Sequence, residues 1–364
     1  MRELVSDATN WYGSDNWDAD RFGPYRTSIK GEVARKINQK FSKRMAIVPL
    51  SINDSMTGNI DRLQNLLEGL NCVYDLLGDE HSKSILVKVW AFRLLGPDKV
   101  KLPLNTNEYW AQRESMSRLT KGRDTIKLRF HQWQLKHLAL AEIGYPIELF
   151  FIPAGIPVTF LLKQYEYGQG QQTIKAEEGD YVIDGGSCWG DTALYFAQEV
   201  GEKGRVYSFE FTPDNLDVFR RNVSLNPQLL DRIEIVPKAL WGTSGEILNY
   251  SANGPATSVA RADNGDRDLE VSTITIDDFV KEKKLARVDF IKMDIEGAEL
   301  SALKGAEETL REFKPKLAIS IYHKDTDFID IPTYLDTLRL GYEFFLDHFT
   351  IYGEETVLFA TPSK

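Results

Sequence analysis

Apolar and polar positions along the chain change their period near residue 140. Ile60, Leu63, Leu66, Leu67, Leu70, Val73 and Leu77 recur at three- and four-residue spacing, which predicts an amphipathic helix over Asn59–Leu77. A second helix is expected after Asp79, through Ile85, Leu86, Val89, Trp90, Phe92 and Leu95, ending at Gly96-Pro97. Glu32–Arg44 is a charged helical candidate, and the Asp-, Asn-, Gly- and Trp-rich residues before it read as an irregular lead-in. Two short apolar runs, Ile147–Phe151 and Val158–Leu162, flank Pro153-Ala154-Gly155 and read as a hairpin. Strands and helices then alternate. Strands are expected at 181–184, 205–209, 233–236, 288–293, 317–321, 342–346 and 356–360. Helices are expected at 192–200, 213–225, from 294 through 310, and from 329 to 340, with a loop at Asn253–Asp268. This alternation predicts a mainly parallel sheet covered on both faces. The chain is therefore read as a mainly helical region, 1–140, followed by an α/β domain, 141–364.

With 364 residues, 42% apolar and 27% charged, the composition is that of a globular protein. No apolar run approaches the ~18 residues of a membrane-spanning helix. A net charge of −10 argues against a general nucleic-acid surface, which needs excess Lys and Arg. Two cysteines, Cys72 and Cys188, cannot build a disulfide framework, and with no signal-like N-terminus the expected location is cytoplasmic.

The candidate chemistry sits where strands end. Asp184-Gly185-Gly186-Ser187-Cys188-Trp189-Gly190-Asp191-Thr192 follows one strand and opens a helix, the position at which open α/β sheets bind ligands. The turn begins with a carboxylate, which would repel a diphosphate and suits a cationic ligand. Glu210 ends the next strand, where an acidic side chain accepts hydrogen bonds from two ribose hydroxyls. Two such carboxylates around a glycine-rich turn predict an adenosine ligand bearing a sulfonium, S-adenosylmethionine. Asp294, Glu296 and Glu299 follow a further strand, and His323 ends the one after that. Histidine titrates near neutrality and can take a hydroxyl proton as a methyl group arrives, so His323 is the expected base. Asp294 and Glu296 either orient it, bind acceptor hydroxyls or hold Mg²⁺, and the spacing leaves these alternatives open. His348 is a weaker candidate. His81, His131 and His137 read as structural.

The segments Ile183–Gly186, Ser208–Phe211, Thr275–Phe279 and Lys292–Glu299, the last followed by Leu303-Lys304-Gly305-Ala306, resemble the FkbM family of S-adenosylmethionine-dependent methyltransferases over roughly residues 160–361. The resemblance implies a class I methyltransferase (Rossmann-like) sheet of seven strands with a reversed last hairpin. It also implies methyl transfer to a hydroxyl of a sugar, polyketide or other secondary metabolite. Asp184, Gly185, Gly186 and Gly190, within the turn that also holds Ser187, Asp191 and Thr192, would then surround the methionine part of the cofactor. Glu210 would hold the ribose and Phe211 the adenine, bordered by Lys238 and Ala239. Asp294 would lie beside the reacting methyl. Many members have Pro after the strand-two acid, where this chain has Phe211-Thr212. Residues 1–140 match no family pattern and are expected to cap the acceptor pocket or to form a homo-oligomer surface. The competing readings are an NAD-dependent Rossmann oxidoreductase and a non-catalytic S-adenosylmethionine-binding module.

Overall fold

The computed structural model describes residues 54–97, 100–128, 134–170, 172–250, 254–260 and 269–363. The expected helix Glu32–Arg44, the lead-in before it and His131 lie outside these residues, as does most of the loop Asn253–Asp268. The chain divides into two compact units, Met1–Trp110 with Leu346–Thr356, and Ala111–Phe345 with Val357–Lys364.

In the first unit, helices α1 (Asp54–Leu76) and α2 (Glu80–Leu95) form where the three-and-four spacing places them. Asp79 caps α2 by accepting the Ser82 N–H at 2.8 Å, and Gly96, at φ +80°, closes it with an N–H to the Phe92 carbonyl. Val73, Leu77, Val89 and Trp90 are buried in this unit. A third helix, α3, spans Asn107–Ser115.

Strands β1 (Thr120–Lys127), β2 (Gln134–Ala139) and β3 (Glu148–Phe151) then form an antiparallel sheet in the order β1-β2-β3. The first two lie in a region read from sequence as helical; β1 is polar and largely exposed, so no alternation betrayed it. The expected hairpin is corrected as well. Phe151 pairs with Lys136 of β2, and Pro157–Leu161 is a single π-helical turn. A short apolar run fits a buried helical turn as well as a strand, and Pro157 at its first position supplies the helical φ. Strands β4 (Tyr167–Gln169) and β5 (Gln172–Ile174) pair as a small ribbon.

The α/β alternation follows. Its elements are β6 (Tyr181–Gly185), α4 (Asp191–Glu199), β7 (Arg205–Phe209), α5 (Pro213–Ser224), β8 (Ile233–Val236), β9 (Ala239–Leu240), β10 (Ile247–Tyr250), β11 (Val259–Ala260), β12 (Leu269–Ile274), α6 (Ile276–Lys283), β13 (Phe290–Met293), α7 (Glu299–Lys304), α8 (Glu307–Phe313), β14 (Lys316–Ser320), α9 (Asp327–Thr337), β15 (Tyr342–His348) and β16 (Thr356–Pro362). Seven strands make one sheet in the order β15-β16-β14-β13-β6-β7-β8, with β16 antiparallel to β14 and the pairs from β14 through β8 parallel. This is the class I methyltransferase order expected from the resemblance. Order reverses between β6 and β13, so their carboxyl ends open a crevice. The central strands are apolar because helices cover both faces: every residue of β13 is buried, Lys292 included. The helix expected to run from 294 through 310 breaks at Gly305, where an added Cβ would lie 2.4 Å from the Trp241 carbonyl oxygen. A second small sheet, β11-β10-β12-β9, was not foreseen.

Candidate functional site

The carboxyl ends of β6, β7 and β13 border one cavity of about 530 Å³, open to solvent. Of the residues expected at a cofactor, Gly186, Glu210, Phe211, Lys238, Ala239 and Asp294 line it, as does Glu296. Asp184, Gly185, Ser187, Gly190, Asp191, Thr192 and His323 do not border it.

Asp184 is fully buried and faces inward, accepting hydrogen bonds from Ser187 (2.8 Å), Thr192 (2.9 Å) and Ser208 (3.2 Å), with Lys292 Nζ 3.1 Å away. Its charge is thus met inside the protein rather than by a ligand. Ser187 and Thr192 spend their hydroxyls on Asp184, and Asp191 accepts from Thr159 at 3.0 Å, burial raising its pKa to about 6. These residues build the turn. Gly190, at φ +83°, packs against Phe219, where an added Cβ would come 2.2 Å from the ring.

Glu210 follows β7 at the cavity wall. One carboxylate oxygen accepts the Phe211 and Thr212 N–H groups, each at 2.7 Å, at the start of α5; the other accepts from Asn215 at 3.1 Å. Burial raises its pKa, with those donors working against the rise. Asn215 also reaches the Gly254 carbonyl (3.3 Å) and accepts from the Trp189 indole (3.1 Å). Phe211 packs edge-on to Tyr250, and Leu240, Pro255 and Val259 extend the apolar wall.

Across the cavity, the Asp294 carboxylate accepts from the hydroxyls of Tyr165 (3.0 Å) and Tyr322 (3.1 Å). Glu296 stands at φ +56°, a left-handed conformation rare for a side-chain-bearing residue, followed by Gly297 at φ +90°. His323 lies behind them. Its Nε2 is 3.3 Å from Asp294 and 3.5 Å from Glu296, and its Nδ1 is 3.0 Å from the fully buried Glu299. Burial alone would lower the imidazole pKa, but Glu296 and Glu299, with the Asp294 charge, overcome it and push it up to about 11. His323 therefore carries a proton at neutral pH. Tyr165, Tyr322 and Lys292 were not singled out in the sequence; only long-range pairing gives them a role.

His348 has no place at this cavity. It is buried in the first unit, its Nδ1 2.8 Å from Thr356 Oγ1. His137 stacks on Phe150 and lies 3.0 Å from Glu148, and His81 pairs with Asp347 at 3.1 Å. Among the described residues no helix is long and apolar enough to cross a membrane.

Residues 173–344 match the family model described as the methyltransferase FkbM domain. The chain is 26% identical over 169 residues to the hexuronic acid methyltransferase AglP of Haloferax volcanii, a match covering 46% of this chain and 66% of that protein. It is 28% identical over 146 residues to the 2-O-methyltransferase NoeI of Sinorhizobium fredii, covering 35% of this chain and 58% of that one. Either match thus spans less than two thirds of the relative's length. The crystal structure of an FkbM methyltransferase from Methylobacillus flagellatus superposes with a TM-score of 0.52 at 21% identity, covering 82% of this chain and 60% of that one. Residues 173–344 are therefore similar to a methyltransferase FkbM domain, and the seven-stranded sheet has the class I methyltransferase strand order.

Proposed function

We propose that this chain moves the methyl group of S-adenosylmethionine to a hydroxyl of a small molecule, a sugar, a polyketide or another secondary metabolite. The observation that carries the reading is the pair Glu210 and Asp294, facing one cavity from either side of Gly186. The two relatives, by name a hexuronic acid methyltransferase and a 2-O-methyltransferase, act in the same class. The residues fit the cofactor: a buried carboxylate for ribose hydroxyls, an apolar wall for an adenine, and carboxylates toward a sulfonium. Bound S-adenosylmethionine supplies an electrophilic methyl group on positively charged sulfur.

Glu210 would accept the two ribose hydroxyls, and Gly186, whose missing side chain lets its turn pack on the Asp294 backbone, would present that turn to the ligand. Holding acceptor oxygen, methyl carbon and sulfur in line can contribute roughly 7–11 kcal/mol. Asp294 is the proposed proton acceptor. A hydroxyl that gains a methyl group becomes a protonated ether, a strong acid, so a carboxylate suffices as its base. His323 then acts as a fixed cation behind Asp294 and Glu296 in place of the base read from the sequence, because it already holds its proton.

The donor set does not fit Mg²⁺. Among the described residues, the triad with donor atoms within 4.8 Å of one another, Asp294, Glu299 and His323, includes an imidazole, a poor ligand for a hard cation. The reaction is accordingly proposed to be metal-independent.

Calorimetry should detect binding of S-adenosylhomocysteine but not of NAD; the reverse result removes the methyltransferase reading in favour of an oxidoreductase. Labelled methyl transfer to a panel of sugar and metabolite hydroxyls, repeated after EDTA dialysis, tests the reaction. Cofactor binding with no transfer to any acceptor supports a binding module instead.

A further inference from the structure

Lys292 is a lysine in the middle of an apolar strand, with its side chain 1% exposed. Its register partner across the β6–β13 pairing is Asp184. An ammonium group has three N–H donors. Here three oxygens surround it: Asp184 Oδ1 at 3.1 Å, the Gly185 carbonyl at 2.9 Å and the Gly186 carbonyl at 2.7 Å. The two carbonyls belong to the glycine turn. On its other side, the Gly186 and Ser187 N–H groups both donate to the Phe209 carbonyl, at 3.0 and 3.1 Å. The turn is therefore pinned by its amides to β7 and by its carbonyls to one buried cation, which leaves Gly186 at the cavity wall. The ammonium also stands 5.1 Å above the ring of Tyr165, whose hydroxyl donates to Asp294.

We infer that Lys292 is a positioning residue for the cofactor: its ammonium sets the carbonyl direction of Gly186, shares the Gly185 carbonyl with the Asp294 N–H, and so holds the turn in its binding shape before any ligand arrives. A mere counterion to Asp184 would need only the first of its three contacts. The inference rests on the cofactor reading above for its ligand, but its backbone claim holds in the ligand-free protein.

The test separates the two roles. Lys292→Met leaves Asp184 buried without a counter-charge and is expected to lower stability sharply. The double variant Asp184→Asn/Lys292→Met removes both charges, so stability recovers relative to the single variant. The Gly186 carbonyl still lacks its donor, and the Gly185 carbonyl keeps only the Asp294 N–H. Amide hydrogen exchange in the ligand-free double variant should accelerate at least tenfold over residues 184–190 and stay unchanged in β13. S-adenosylhomocysteine should bind at least tenfold more weakly than to the wild type, with kcat at saturating cofactor within a few-fold. A double variant with wild-type exchange at the turn and wild-type affinity overturns the inference and leaves Lys292 a counterion. If the wild type itself binds no S-adenosylhomocysteine, the cofactor reading fails, and the exchange result alone still decides the positioning claim.

Discussion

Gly186 and Asp294 meet backbone to backbone: a Cβ built on Gly186 would lie 1.8 Å from the Asp294 carbonyl oxygen. The turn after β6 and the turn after β13 are thus packed against each other with no room for a methyl group. Gly186 also stands at φ +79°, where a side chain is strained. Gly186→Ala should therefore force the two turns apart, costing on the order of 1–3 kcal/mol from strain and overpacking, and should abolish cofactor binding. Thermal unfolding and calorimetry with S-adenosylhomocysteine check this. A variant that melts and binds like the wild type would show that the turns do not touch.

Much of this arrangement was legible in the sequence. Buried parallel strands are apolar runs bounded by glycine and acidic residues, so the tips carrying Asp184, Glu210 and Asp294 could be placed within a residue or two. What each carboxylate faces could not. Asp184 reads as a ligand-facing acid until Lys292, 292 − 184 = 108 residues on, is seen beside it in register. Lys292 itself looks like an interruption in an apolar strand. Tyr165 follows a π-helical turn that shares its pattern with a strand, and β9, two residues long, leaves no period to detect. His323 was found by its strand-end position, but its protonation depends on three acids gathered from the turn after β13 and the first residue of α7.

Glu210 has two tasks that substitutions can separate. Its carboxylate accepts the Phe211 and Thr212 N–H groups just before α5, and it is proposed to hold the ribose. Glu210→Ala removes both and should cost on the order of 1–3 kcal/mol of stability, because these amides and the Asn215 side chain lose their acceptor. Glu210→Gln keeps an oxygen acceptor for the backbone and should melt closer to the wild type. Both should weaken S-adenosylhomocysteine binding about 10- to 100-fold, as hydrogen bonds to a charged group are worth roughly 1.5–3 kcal/mol. Unaltered affinity in either variant contradicts the ribose role.

His323 gives a spectroscopic prediction. With its pKa pushed up to about 11, both ring nitrogens should remain protonated from pH 5.5 to 9, visible as imidazolium ¹⁵N shifts that do not titrate. Because the folded-state pKa lies above the unfolded value of about 6.5, the stabilisation is complete below pH 6.5 and declines as pH rises toward 11. The stability difference between the wild type and His323→Gln should therefore be larger at pH 6 than at pH 9. A histidine titrating near 6.5 at this position would return it to the role of base and remove Asp294 from that role.

His348 should behave in the opposite way. Burial drives its pKa down to about 4, the neighbouring Asp347 only partly offsetting the effect. Here the unfolded chain binds the proton more readily, so stability is retained above the unfolded pKa of about 6.5 and is lost as pH falls toward 4. From pH 7.5 to pH 5 the loss assigned to this one side chain is about 2 kcal/mol. Asp191 and Asp327, whose pKa values burial raises to about 6, act in the reverse sense, so the total for the chain is not diagnostic. The informative quantity is the difference from His348→Gln, which cannot take up the proton but keeps a polar group near Thr356. Urea midpoints at the two pH values should fall further for the wild type than for this variant. Equal falls would mean that His348 is already charged in the folded protein and that its bond to Thr356 forms on the protonated ring.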